Sequence, residues 1–206
     1  MALQREGKIA HIGVSNFGVA QLQEALETGA TIAVNQVCYN LIFRACEFEV
    51  LPFCREHNIQ VLCYSVLMQG ILTGRYNSLE DIPLYRTRTR HFDSRTNAKS
   101  RHGEDGHEAL LQSTLEALQR IAEEAGIVMS DMALAWPLHQ AGVSCCIVGG
   151  TKAGHIQSNA RAAKVVLSKE VLAKIDQATA ALKGAMGPNI DLWQGVVDGK
   201  QTSRCR

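Results

Sequence analysis

Apolar positions fall into two patterns along the chain. Short, nearly unbroken runs alternate with longer stretches of helical period. The runs IAHIGVS (9–15), IAVNQVCYN (32–40), IQVLCYSVL (59–67) and VSCCIVGG (143–150) read as strands. The third is almost wholly apolar, as expected of a strand covered on both faces. VAQLQEALETG (19–29), Glu47 to His57, HEALLQSTLEALQRIAEEAG (107–126), SDMALAWPLHQAG (130–142), KAGHIQSNARAA (152–163) and SKEVLAKIDQATAAL (168–182) read as helices. Ser130 and Ser168 stand at N-cap positions and Gly29 at a stop. Pro52 falls within or in the first turns of the second helix. Residues 70–106 carry no sustained period, and 184–206 read as a loosely ordered tail.

Strands that alternate with helices across long connections pair in parallel through right-handed crossovers. Four strands are expected and no fifth. No 20–50-residue period recurs, which excludes a solenoid.

Composition narrows the partners rather than the fold. The 206 residues are 46% hydrophobic and 20% charged, with a net charge of +1, which gives no reason to expect nucleic acid or an acidic partner. No signal-peptide pattern opens the chain, and no apolar run approaches the ~18 residues of a membrane span. The seven cysteines form no CxxC pair and lie mostly in apolar segments. They read as reduced core residues of a cytoplasmic protein, with no metal site.

In parallel α/β folds ligands sit where strands end and helices begin. Ser15 and Asn16 end the first strand; they either cap the next helix or meet a polar ligand. Gln36, in the apolar VNQVCY, needs a hydrogen-bond partner in either case. Tyr64 ends the third strand, as a core ring or a stacking surface. Gly149, Gly150, Thr151 and Lys152 join the fourth strand to a helix. Small residues and a cation there make an anion site, or a plain turn. The cations of 84–102 (Arg86, Arg88, Arg90, Arg95, Lys99 and Arg101) read as a solvated loop. Trp136 reads as core.

Together GKIAHIGVSNF, VNQVCYN, VLCYSVLMQGILTGRY and IVGGTKAGHIQSNARAA resemble, in order and spacing, the last four strand ends of the aldo-keto reductases. These are NADPH-dependent carbonyl reductases built as (β/α)8 barrels. "PFCREH" and "RTRHF" resemble a bacterial-type subgroup. The resemblance covers 1–183 and implies a half-barrel of four parallel strands with outer helices, followed by a tail at 184–206. It implies that Ser15, Asn16 and Gln36 bind the nicotinamide carboxamide and that Tyr64 stacks on its ring. Ser65, Leu67 and Gln69, with Gly70, would wrap the pyrophosphate. Val66 stands where the family usually has Pro. Gly149–Lys152 would hold the 2′-phosphate of NADPH, favouring NADP over NAD. His155, Ser158 and Asn159 would face the adenosine, His155 replacing Arg or Gln and Ser158 a common Glu. One arginine of the 84–102 loop would touch phosphate.

The resemblance also places Met1 in the fourth barrel helix and the family's catalytic Asp, Tyr, Lys and His in the other half. The 206 residues would then carry no catalytic residue and reduce no aldehyde or ketone by themselves. The alternatives are a nucleotide-binding pseudoenzyme and a regulatory or complementing half-barrel. Ile12, Val14, Val37, Val61, Cys63 and Ile147 are expected to border an open interior. Exposing them would favour self-association or pairing with a complementary N-terminal half.

Overall fold

The four strand-like runs form one parallel sheet in chain order. It consists of β1 (Ile12–Ser15), β2 (Ile32–Cys38), β3 (Gln60–Tyr64) and β4 (Val143–Cys146). The computed structural model describes residues 1–194, 196–197 and 200–201. Its helices are α1 (Ala2–Arg5), α2 (Val19–Glu27), α3 (Val50–Glu56), α4 (Glu108–Glu124), α5 (Met129–Leu138), α6 (Ala153–Ala162) and α7 (Lys169–Met186). A two-residue antiparallel pair, β5 (Val196–Val197) with β6 (Lys200–Gln201), lies near the end of the chain. This is the expected half-barrel architecture, an α/β fold with four parallel strands.

Each strand is shorter than its apolar run, and at the ends of β1 and β3 the reason is local. Asn16 (φ 58°) ends β1 and Ser65 (φ 54°) ends β3, both in the left-handed region that interrupts extended backbone. Gly13 in β1 has a steric reason, since a Cβ there would lie 2.5 Å from Val34 Cγ2. Helix α3 starts at Val50, after a 3₁₀ turn at Ala45–Glu47, so Pro52 falls in the first turn, where its missing N–H is harmless. Ser168 caps α7, its hydroxyl accepting from the Val171 N–H at 3.2 Å. Ser130 does not cap α5; the N-cap residue is Val128, and Ser130 lies inside the first turn.

Strand register corrects the assignment of faces. Neighbours in register point the same way, so Val14, Asn35 and Val61 share one face, and Ser15, Gln36 and Leu62 the other. Asn35, Val37, Val61 and Cys63 are completely buried toward the helices, while Val34, Gln36, Leu62 and Tyr64 are half-buried and Ser15 is exposed. Val14, Val37, Val61 and Cys63 therefore do not border the open face, as expected from their apolarity, but pack in the core. Ile147 lies beyond β4 and is exposed. The open face carries Ser15, Gln36 and Tyr64 instead, a mixed polar surface.

Helix α7 is tied by a polar cluster to the segment between β2 and α3. Glu47 accepts from Arg44 (2.6 and 2.9 Å), Tyr39 (2.6 Å) and Lys183 (2.6 Å). Burial raises the pKa of its carboxyl, but these donors outweigh that and hold it below the usual carboxylate range. Arg44 also donates to Thr179 (2.7 Å) and lies over the ring of the fully buried Trp136.

Beyond α7 the chain is not loose through residue 194. Ile190 and Leu192 are buried, and Arg90 donates to the carbonyls of Met186 (2.9 Å) and Asn189 (3.0 Å). Arg90 also grips Glu104 through Nε at 2.8 Å to both carboxylate oxygens. Leu192 O accepts from the Arg90 amide at 3.0 Å. Loop 84–104 and the segment after α7 are thereby one packed unit. Among the described residues, no helix is long and apolar enough to cross a membrane.

Candidate functional site

The C-terminal ends of β1, β2 and β3 are bound together by polar side chains. Asn35, fully buried, donates Nδ2–H to Phe17 O (2.9 Å) and accepts the Phe17 N–H on Oδ1 (3.4 Å). This amide fixes the turn after β1 and holds Asn16 in its left-handed conformation. Asn16 N–H donates to Gln36 O (2.8 Å), and Ser15 Oγ donates to the same carbonyl (3.1 Å). Tyr64 O–H donates to Asn16 Oδ1 at 2.9 Å, joining the ends of β1 and β3. Asn40, also fully buried, receives the N–H groups of Ile42 and Phe43 (both 3.0 Å) and donates to Ser65 O (3.1 Å).

Over these ends lies a cleft of about 480 Å³. It is lined by Ser15, Asn16, Phe17, Gln21 and Tyr64 on the strand side and by Arg101, Ile190, Asp191, Trp193 and Gln194 on the other. The Trp193 ring runs parallel to that of Tyr64, 6.3 Å between centroids and 8° between planes. Asn16 keeps its Nδ2 donors, since its Oδ1 takes the tyrosine hydroxyl. The Gln36 side-chain amide, on the same face as Ser15, has no hydrogen-bond partner among the described residues. An incoming primary amide, which both donates and accepts, matches that inventory.

From Tyr64 the chain enters a tight, strained loop. Ser65, Met68 and Gln69 take φ of 54°, 44° and 54°, and Gly70 follows at 89°. Three non-glycine residues in this region within five positions is a concentration of strain of the kind found at ligand sites. Arg86 donates Nη1–H to Gln69 O and to Tyr76 O–H (2.9 Å). A Cβ on Gly70 would lie 2.6 Å from Arg75 Nη2 and 3.0 Å from Arg86 Nη1, so two guanidinium groups lie against this loop. Arg86 is thus the arginine of the 84–102 loop that reaches the segment Ser65–Gly70.

The fourth strand end is open by contrast. Gly149, Gly150, Thr151, Lys152 and His155 are exposed, and Lys152 is the N-cap of α6. Asn159 Nδ2 donates to Gly149 O at 3.2 Å and braces the turn. The Ser158 hydroxyl faces Asp131 Oδ1 at 3.4 Å. The Ile147 N–H donates to Cys63 O (2.7 Å), so this turn leaves the sheet beside the Tyr64–Ser65 end of β3. Structure therefore joins Ser15, Asn16, Gln36 and Tyr64 directly, with Ser65, Leu67 and Gln69 following. Gly149, Gly150, Thr151, Lys152, His155, Ser158 and Asn159 stand on the neighbouring strand end, outside the 480 Å³ cleft.

Sequence reading missed Asn35, Asn40 and the 190–194 wall. A signal existed for each: a second amide beside Gln36, an Asn closing VCYN, and the alternating apolar Ile190, Leu192 in NIDLW. Cys38, Cys46, Cys54 and Cys63 are buried thiols. Burial, partly opposed by a hydrogen bond with Asn35, pushes Cys54 up to about 11, where it stays a neutral thiol.

The profile of the aldo/keto reductase family matches residues 1–180. The chain is 31% identical over 175 residues to "Aldo-keto reductase yakc [NADP(+)]" of Schizosaccharomyces pombe, covering 84% of this chain and 48% of that protein. It is 31% identical over 166 residues to the "NADH-specific methylglyoxal reductase" of Escherichia coli, covering 81% and 47%. Among solved structures, the glycerol dehydrogenase AKR11B4 from Gluconobacter oxydans superposes with a TM-score of 0.70 at 26% identity, over 97% of this chain and 54% of that one. The chain spans about half the length of the curated relatives it matches. A family profile along nearly its whole length, a matching fold and a polar cleft at the strand ends agree: this chain belongs to the aldo/keto reductase family.

Proposed function

We propose that these residues form the nicotinamide-nucleotide half of a cytoplasmic NADPH-dependent reductase of small aldehydes and ketones. Ser15, Asn16 and Gln36 would hold the carboxamide and Tyr64 would stack on the ring. Ser65, Leu67, Gln69 and Arg86 would hold the pyrophosphate. Gly149–Lys152 would take the 2′-phosphate, with His155, Ser158 and Asn159 at the adenosine. When bound, the cofactor supplies the hydride for the carbonyl carbon. The chain's own residues orient the amide and neutralise phosphate charge. The observation that carries this reading is the linked Tyr64–Asn16–Gln36 end, with Asn16 and Tyr64 lining the cleft and the Gln36 amide on the same sheet face as Ser15.

In this reading, carbonyl reduction also needs a proton donor. The resemblance puts that group in the other half of a barrel. The 206 residues alone would therefore bind nucleotide without turnover, and would complete a site by pairing with a complementary N-terminal half or by self-association. Relatives whose names specify NADP(+) and NADH both match, so cofactor preference is read from Lys152. Lys152→Ala is expected to weaken NADPH by about 1–3 kcal/mol, the scale of a charge-assisted hydrogen bond, and NADH much less. NADPH and NADH fluorescence titrations measure both. Equal losses would remove the 2′-phosphate assignment, and absence of binding by either nucleotide would remove the reading as a whole.

A further inference from the structure

The loop at 84–102 carries six cations, and the structure separates them into two groups. Arg86 is engaged by Gln69 O and Tyr76, Arg90 by Glu104 and the carbonyls after α7, and Arg95 by Asp93 (2.5 Å) and Asp105 (3.2 Å). Arg88, Lys99 and Arg101 remain. None of the three enters an ion pair among the described residues. Arg88 uses Nε on Tyr85 O at 3.0 Å, which leaves its terminal nitrogens available.

These three residues share one space. With Trp193 they line one hollow of about 260 Å³. Arg101 and Trp193 also line the 480 Å³ cleft that holds Ser15, Asn16 and Tyr64, so the two spaces adjoin. Among the described residues the carboxylate lining the larger cleft is Asp191, whose Oδ1 already accepts the N–H groups of Trp193 and Gln194 (both 3.1 Å). Like charges gathered in a hollow repel one another and lower the free energy of an anion placed among them. Arginine pairs offer planar donor forks matched to carboxylate and phosphate oxygens.

We infer that Arg88, Lys99 and Arg101, walled by Trp193, form a subsite for the anionic end of the carbonyl compound that enters the cleft. The substrate class is then a small aldehyde or ketone carrying a carboxylate or phosphate. Its assignment to substrate rests on the nicotinamide reading of the adjoining cleft.

Trp193 supplies the readout, because the chain's other tryptophan, Trp136, is fully buried. The 206-residue chain is titrated, following tryptophan emission, with levulinate against methyl levulinate. Dihydroxyacetone phosphate against dihydroxyacetone forms the second arm. Each pair keeps the ketone and differs in charge. At least one anion is expected to bind ten-fold or more tightly than its neutral partner. The arm showing the larger ratio separates carboxylate from phosphate. Arg101→Gln should reduce the ratio to two-fold or less and Arg101→Lys should restore most of it, with far-UV circular dichroism unchanged. Arg88→Gln should act like Arg101→Gln, and Lys152→Ala should leave the ratio intact.

Equal affinities within both pairs overturn the subsite, as does a ratio that survives both glutamine variants. A chain that binds no NADPH yet keeps the ratio retains its anion site while the nucleotide reading fails. Weakened NADPH binding in Arg101→Gln, with no anion preference in the unmodified chain, would give these cations to the cofactor and overturn the proposal.

Discussion

At the β1–β3 end of the site, side chains at three strand ends bond to one another or to a neighbouring main chain. The segment after α7 lies over them, and even strained backbone is held in place. At the β4–α6 end the residues with the chemistry to bind an anion stand in solvent, braced by the Asn159–Gly149 bond. Both ends are strand-to-helix junctions in the same sheet. The difference lies in what covers them. Conformational strain persists where surrounding contacts over-determine the backbone, so Asn16 keeps positive φ where Asn35 grips the adjacent Phe17, and Ser65 where Asn40 grips its carbonyl. The β4–α6 turn needs no such support, since extended N-cap geometry is already relaxed.

The sharpest way to break this contrast is to release the cover. Arg90→Ala leaves Glu104 and three main-chain carbonyls without their donor in a buried place. Removing one partner of a buried pair costs about 3–5 kcal/mol. Urea unfolding should show that loss, and Trp193 emission should shift to the red as its segment lifts from Tyr64. Stability within 1 kcal/mol (roughly the range of an ordinary surface change) with unshifted emission would mean that the cover is held by other contacts.

Acid provides a second, graded release. His91 is completely buried. Its Nε2–H donates to Ile42 O (2.8 Å), and its neutral Nδ1 accepts from Thr89 Oγ1 (3.2 Å). Burial lowers its pKa from 6.5 to about 4. The unfolded chain therefore takes up a proton near pH 6.5, whereas the folded chain resists until about pH 4. Stability is full above pH 6.5 and falls as pH drops through that window, by about 3 kcal/mol. His102, lowered by its own burial, adds a change of the same sign. Urea midpoints from pH 7.5 to 4.5 measure the slope. His91→Gln should flatten it, and an unchanged slope would place its origin elsewhere.

The smallest effects compare the two ends directly. Tyr64→Phe removes the bond to Asn16 and should lower stability by about 1 kcal/mol. Lys152→Ala, at an exposed N-cap, should change stability by less than about 0.5 kcal/mol while weakening NADPH. Thermal melts of both variants check the order. A larger loss from Lys152→Ala would show that the open end is structurally coupled after all.

Much of this was legible in the sequence. Unbroken apolar runs marked every strand of the parallel sheet, and helical periods marked its long helices. Face was not legible, because strands apolar on both sides give no parity signal. Val37 and Val61 read as interior residues when the register turns them toward the helices. Strand ends were overestimated because apolar side chains continue past the points where Asn16 and Ser65 turn the backbone. Among the cations, charge alone could not separate Arg90, whose partners lie at 104 and 186–191, from Arg88, which lines the hollow. Ser130 was a cap by residue type, but the backbone placed Val128 there.

Strand order follows chain order, and that sets a schedule for assembly. Val14 meets Asn35 and Asn35 meets Val61 across short intervals, while Val61 meets Val143 across an interval about three times longer. Closing the longer loop costs about 1 kcal/mol more in chain entropy. Contacts between distant residues also form late. β4 is thus the last strand to dock and the first to leave, taking the glycine turn at 149–150 with it. Amide hydrogen exchange would show this order in time. The Ile147 N–H bonded to Cys63 O should exchange well before the Asn16 N–H bonded to Gln36 O.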